Sequence, residues 1–123
     1  MKFVITFLML VLASAVYSHE LTPTYPTLEP SIYGGVYKTT LVIFNRREDV
    51  SYYQIEVYDS DWNPIKFATQ SQIFKLEYLA RRNFDVYIKE EDINSVTYIC
   101  TRSKILEGGD TSVISSNICS KVK

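Results

Sequence analysis

The chain has 123 residues, enough for one small domain, and an apolar share of 46% marks it as globular rather than disordered. Thirteen Lys and Arg against fourteen Asp and Glu leave a formal charge of −1, which excludes a chain built to neutralise phosphate backbones, so no nucleic-acid partner is expected. A single His and two Cys exclude most metal-ligand and nucleophile arrangements before any spacing is considered.

The first residues have the layout of a secretory leader. One positive charge at Lys2 precedes the apolar run Phe3 to Leu12, and Val16-Tyr17-Ser18 supplies small or tolerated residues before a cut. Cleavage is expected after Ser18, with Ala13-Ser14-Ala15 as the second choice. A membrane anchor needs about 20 apolar residues, more than this run offers, and no later stretch escapes interruption by charge. The expected product begins at His19, has no stable membrane span and is secreted or periplasmic.

Residues 19–35 form an extended, Pro-rich arm. Prolines at 23, 26 and 30 are too many for a helix or an interior strand. Pro23 and Pro26 have a P-x-x-P spacing without the flanking basic residue such ligands carry, so the arm is expected to lie along the domain. Gly34-Gly35 marks a turn, and Val36 to Phe44 follows as a strand rich in β-branched and aromatic residues. After the charged turn Asn45 to Asp49, Tyr53, Ile55 and Val57 alternate with Gln54, Glu56 and Tyr58, the period of a half-buried strand. Asp59 to Pro64 is dense in turn formers, and Ile65 to Ala68 reads as a short edge strand. Phe74, Leu76 and Tyr78 then alternate with Ile73, Lys75 and Glu77. Beyond Leu79 to Arg82, Phe84, Val86 and Ile88 do the same with Asp85, Tyr87 and Lys89. Lys89 to Ser95 is a polar connection with room for one helical turn. Val96 to Leu106 and Thr111 to Val122 are the last two strands, joined across Glu107-Gly108-Gly109-Asp110.

That last junction carries a disulfide. A two-residue type II′ turn at Gly109-Asp110 places Gly108 opposite Thr111, and the same register places Cys100 opposite Cys119. It also sets Ile105 across from Ile114, with Ile99 and Ile118 on that side, so one face of the ribbon reads as apolar. An exported chain favours the pairing, and the spacing is not that of a redox-active C-x-x-C.

Enzyme chemistry finds no footing. An amine and imidazole at His19 offer half of a copper site with no second imidazole to complete it, so His19 is expected to be a disordered first residue. Without another His, Ser-His-Asp and Cys-His catalysis are excluded. Asp59-x-Asp61-x-Asn63 opens like a calcium loop, but its sixth position is Pro64 and its twelfth Gln70, so a polar turn is expected. Glu90-Glu91-Asp92 reads as a solvated connection. No catalytic residue, metal site or cofactor is assigned.

Ten tyrosines remain, spread over most strands. Tyrosine serves binding interfaces and cross-strand packing equally. The candidate interface residues are Tyr52, Tyr58, Trp62 and Tyr87, with Trp62 and exposed tyrosines also conceivable as sugar-stacking platforms.

The stretch Thr40 to Leu106 resembles the immunoglobulin-like N-terminal domain of periplasmic pilus chaperones. The resemblance rests on Leu41-Val42-Ile43-Phe44-Asn45, on Tyr53 to Val57, and on Phe74-x-Leu76 followed by Arg81-Arg82-x-Phe84. Tyr98-x-Cys100 resembles the tyrosine corner and cysteine of immunoglobulin strands. No cysteine stands on an early strand, so Cys119 is the partner and the bond lies within one sheet. The layout and the endings Tyr-Ile-Cys-Thr and Ile-Cys-Ser-Lys also look like small exported proteins carried by tailed phages. The expected fold is an all-β, single immunoglobulin-like antiparallel sandwich of about seven strands over 36–123, preceded by the arm. The resemblance implies a chaperone-like module that binds another protein through an exposed edge strand or a Tyr-rich face. The alternative is a structural component of a cell-surface or virion assembly, with self-association through the arm.

Overall fold

The computed structural model describes residues 18–104 and 115–123. Eight strands form two antiparallel sheets: β1 Glu20–Thr22, β2 Glu29–Pro30, β3 Val36–Phe44, β4 Tyr52–Tyr58, β5 Ile73–Lys75, β6 Arg81–Lys89, β7 Tyr98–Lys104 and β8 Asn117–Lys121. In the first sheet β3 pairs with β6 along its whole length, while β1 and β2 take its other edge, opposite Val42 to Phe44 and Tyr37 to Lys38 respectively. The second sheet has the order β5-β4-β7-β8. The helical turn expected after Lys89 is a single 3-10 turn, Glu90–Asp92.

Period-two alternation explains why these sheets face each other. Leu41 and Ile43 of β3, Tyr53, Ile55 and Val57 of β4, Phe84, Val86 and Ile88 of β6 and Ile99 of β7 all point inward and form one buried cluster. Each such side chain contributes about 1.5–3 kcal/mol on burial, so a one-residue slip in any of these strands would turn its apolar set to water. The all-β sandwich is therefore the architecture, as the periodicity implied.

The arm is more tightly bound than an arm need be. Pairing of β1 to β3 ends at Thr22, and residues 23–26 cross to the other sheet. There the Lys121 and Lys123 N–H groups donate to the Thr24 and Pro26 carbonyls, both at 3.0 Å, and Ser120 Oγ donates to the Pro23 carbonyl at 2.8 Å. The chain then returns to β3 as β2. Prolines suit this path because an edge segment needs few of its own N–H groups.

Two strand expectations are corrected. Ile65 to Ala68 is not one edge strand. Its ends serve different sheets: Ile65 N–H donates to Val57 O at 2.9 Å, while Ala68 exchanges bonds of 3.0 and 2.9 Å with Tyr87 of β6. The Phe74, Leu76, Tyr78 alternation also stops early. Phe74 and Leu76 are buried, but Leu79 turns the chain at φ 63° and leaves Tyr78 and Leu79 exposed, so β5 is only three residues long. Both departures follow from one cause, a connection that must serve two sheets in turn.

Cys100 faces Cys119 across β7 and β8 and is bonded to it, in the expected register. The cystine lies on the outer face of its sheet. On the inner face Ile99 is buried, yet its companions Thr101, Ser103 and Ser120 are buried polar residues, so that face is mixed rather than apolar. The expected turn at Gly109-Asp110, the Ile105–Ile114 pair and residues 1–17 of the expected leader lie outside the described residues.

Candidate functional site

The outer face of the second sheet carries the even-numbered side chains of β4 and β7. Glu56 stands opposite Cys100, and Tyr58 opposite Tyr98. Immediately after Tyr58 the chain folds back on itself through the Asp59 side chain, whose Oδ1 accepts the N–H groups of Asp61 and Asn63, each at 2.9 Å. Main-chain bonds from Trp62 N–H to Asp59 O (3.1 Å) and from Asp59 N–H to Asn63 O (3.0 Å) close the loop. The Asn63 N–H is the main reason that the Asp59 carboxyl is held below the ordinary carboxylate range. The residues that resembled a calcium loop are thus used to make a turn.

This turn holds Trp62 at φ 65°, a left-handed conformation that costs a bulky side chain on the order of 1–2 kcal/mol. The result is a flat aromatic platform. The Trp62 indole stacks on Tyr98 with ring centroids 4.1 Å apart and planes 2° apart, and Tyr58 leans against it at 5.7 Å and 57°. Trp62 nevertheless remains 51% exposed. Beside the platform, the Tyr58 hydroxyl donates to Glu56 Oε2, and Arg102 lies 3.4 Å from the same oxygen. The bond to Glu56 raises the Tyr58 pKa. The half-exposed rings thus lie beside a carboxylate and a guanidinium.

The candidate interface residues separate into three groups. Tyr58 and Trp62 come together. Tyr52 shares their face of β4 but stands at its far end opposite Lys104, roughly 20 Å away at the rise of a strand. Tyr87 lies on the other sheet, in edge contact with Tyr33 at 6.2 Å. Tyr98, which completes the platform, was one aromatic among many in the sequence, because only the pairing of β4 with β7 shows that it meets Tyr58.

His19 corrects the expectation of a disordered residue. It is 2% exposed, with Nε2 at 2.7 Å from Thr101 Oγ1 and 3.0 Å from Thr101 O, Nδ1 at 3.0 Å from Ser116 Oγ, and its ring 4.7 Å from that of Tyr53. The polar residues on the inner face of β7 and before β8 give the imidazole partners that water would otherwise supply. Burial lowers its pKa to about 4, against the Thr101 carbonyl, which raises it, and with the nearby Arg47 charge adding to the lowering. A second polar knot lies alongside. Asn45, fully buried, donates from Nδ2 to the carbonyls of Val50 (2.8 Å) and Leu76 (2.9 Å), and its Oδ1 accepts from the Tyr53 hydroxyl (2.6 Å) and the Arg47 N–H (2.9 Å). Burial pushes the Tyr53 hydroxyl up to about 12. Arg47 in turn grips Asp49 with two bonds, of 3.0 and 2.6 Å, and so lowers the Asp49 pKa. Among the described residues no three His, Cys, Asp or Glu side chains gather as metal ligands.

These features define a class: a β-sandwich braced by a cystine within one sheet, bearing an aromatic platform on that same sheet. No family model matches the chain, and no curated protein matches it in sequence.

Proposed function

We propose that the protein is exported and acts as a non-enzymatic protein-binding module, with the Tyr58–Trp62–Tyr98 platform as its contact surface. The observation that carries this reading is Trp62, a large aromatic ring kept half in water at the cost of an unfavourable backbone conformation. Strain of this kind persists where the surroundings enforce it, and it concentrates at sites of recognition. Tryptophan and tyrosine flanked by an Arg are also the residue types that dominate binding energy in interfaces. Export is supported by the leader-like N-terminus and by the cystine, a bond that lasts in oxidising compartments. No helix among the described residues is long and apolar enough to cross a membrane. The two facing antiparallel sheets, β1, β2, β3 and β6 against β5, β4, β7 and β8, support the resemblance to immunoglobulin-like sandwiches.

A photo-crosslinking residue at Asn63, beside the platform, tests the proposal in the exported fraction of producing cells. A discrete adduct with another protein that disappears in Trp62→Ala is the expected result. An adduct unaffected by Trp62→Ala, or none, overturns it. An adduct consisting only of the protein's own dimer replaces it with the assembly reading.

A further inference from the structure

The backbone groups of β6 alternate between β3 and the outside. Ala80 O and Glu90 N–H bond toward the β3 side, to Asn45 and Gly35, so the odd-numbered residues between them direct N–H and C=O outward. One end of this outer edge is occupied. Tyr87 exchanges two bonds with Ala68. Asp85 N–H donates to Gln70 Oε1 at 3.1 Å, while Gln70 Nε2 donates to Asp85 Oδ2 at 2.8 Å. At the other end the outward groups of Arg81 and Asn83 have no backbone partner among the described residues, and both residues are exposed.

Positive charge collects on the same stretch. The Arg81 guanidinium lies over Phe44 at 4.3 Å and that of Arg82 over Phe74 at 4.5 Å. Neither makes a salt bridge among the described residues. Stacking on a ring holds a guanidinium in place and leaves its N–H donors available to carboxylates.

We infer that the outer edge of β6 at Arg81–Asn83 accepts an extended, acidic segment of a partner protein as an added strand. Backbone pairing with Arg81 and Asn83 supplies the register, and the two guanidiniums select carboxylates on the incoming chain. A second copy of the protein fits less well. Antiparallel self-pairing centred on Asn83 needs the Asp85 N–H, which Gln70 already holds, and self-pairing centred on Arg82 sets two Arg82 side chains of like charge opposite each other. The inference rests on the reading of the protein as a binding module, but not on Trp62.

The test is a titration of the ¹⁵N-labelled protein with the capped peptide Val-Glu-Glu-Glu-Val, whose consecutive carboxylates reach both faces of an added strand, its Val-Lys-Lys-Lys-Val counterpart, and a glutamate peptide N-methylated at alternate residues. The expected result is amide shifts centred on Arg81 and Asn83, with at least about tenfold tighter binding of the unmodified glutamate peptide than of either control. Asn83→Pro removes only an outward N–H, since the bonds to β3 run through Arg82 and Phe84, and it is expected to weaken binding about tenfold. The double variant Arg81→Glu, Arg82→Glu should reverse the peptide preference, which keeps the test decisive if the proline variant folds poorly. Equal affinity for both charge types, or shifts centred elsewhere, overturns the inference. A concentration-dependent dimer lost in Asn83→Pro also overturns it, in favour of a second copy. Failure here with an intact Asn63 crosslink sinks the edge alone, whereas loss of the crosslink with these shifts intact sinks the platform alone.

Discussion

Mild acid is expected to loosen this fold through one side chain. His19 is the only histidine in the chain, and its burial holds the folded-state pKa at about 4, against about 6.5 when the chain is unfolded. Between those values the unfolded chain binds a proton that the folded one refuses. Stability is therefore fully present above about pH 6.5 and is lost as the pH falls toward about 4. Linkage gives a loss of about 2 kcal/mol between about pH 7 and about pH 5, and about 3 kcal/mol once the folded pKa is passed. Asp49 and Asp85, whose pKa values are lowered mainly by bonds from Arg47 and Thr40, contribute stability that is lost only as the pH falls below the ordinary carboxylate range. The interval between about pH 5 and 7 thus isolates His19. Urea unfolding at both ends of that interval, on the wild type and on His19→Gln, measures the effect, because glutamine keeps polar atoms near Thr101 and Ser116 but does not titrate. The variant is expected to lose less than about 0.5 kcal/mol where the wild type loses about 2. Equal losses in the two proteins would refute the reasoning.

Three further outcomes follow from the packing. Replacing Cys100 and Cys119 together by serine should lower the unfolding free energy by about 3 kcal/mol, read from urea unfolding with midpoint and slope both fitted, since the bond closes a loop between residues 19 positions apart. Asn45→Ala should cost about 3 kcal/mol or more in the same assay, because it strands two buried carbonyls and the Tyr53 hydroxyl at once. Trp62→Gly should shift stability by less than about 1 kcal/mol, as relief of the left-handed conformation offsets the lost ring contacts. That substitution should also abolish the near-ultraviolet circular dichroism of the Trp62–Tyr98 stack.

Strands β4 and β6 were legible because each buries alternate residues, and a period of two survives in the sequence whatever the strand packs against, while β3 showed itself by its density of β-branched and aromatic residues. The cystine was legible for a related reason: antiparallel register is arithmetic, so a turn placed near Gly109 set Cys100 opposite Cys119. What escaped depends on contacts between distant segments. Nothing local distinguishes Tyr98 from the other tyrosines until β4 lies beside β7, and nothing about His19 announces that Thr101 and Ser116 will enclose it. The short reach of β5 had the same origin, since the pattern Phe74, Leu76, Tyr78 continues past the point where Leu79 must turn toward β6. The platform and the open edge emerged only from where strands end.

The stitching of residues 23–26 to Lys121 and Lys123 bears on the order of assembly. The first segment of the sandwich finds its last partners almost a hundred residues downstream, so no early intermediate emerging from a ribosome holds the arm in its final place. Until residues 117–123 arrive, the Thr24 and Pro26 carbonyls have no strand to bond and His19 lacks part of its enclosure. Closure of the arm is then a late event, which makes its docking a natural report that residues 117–123 have taken their place in the second sheet.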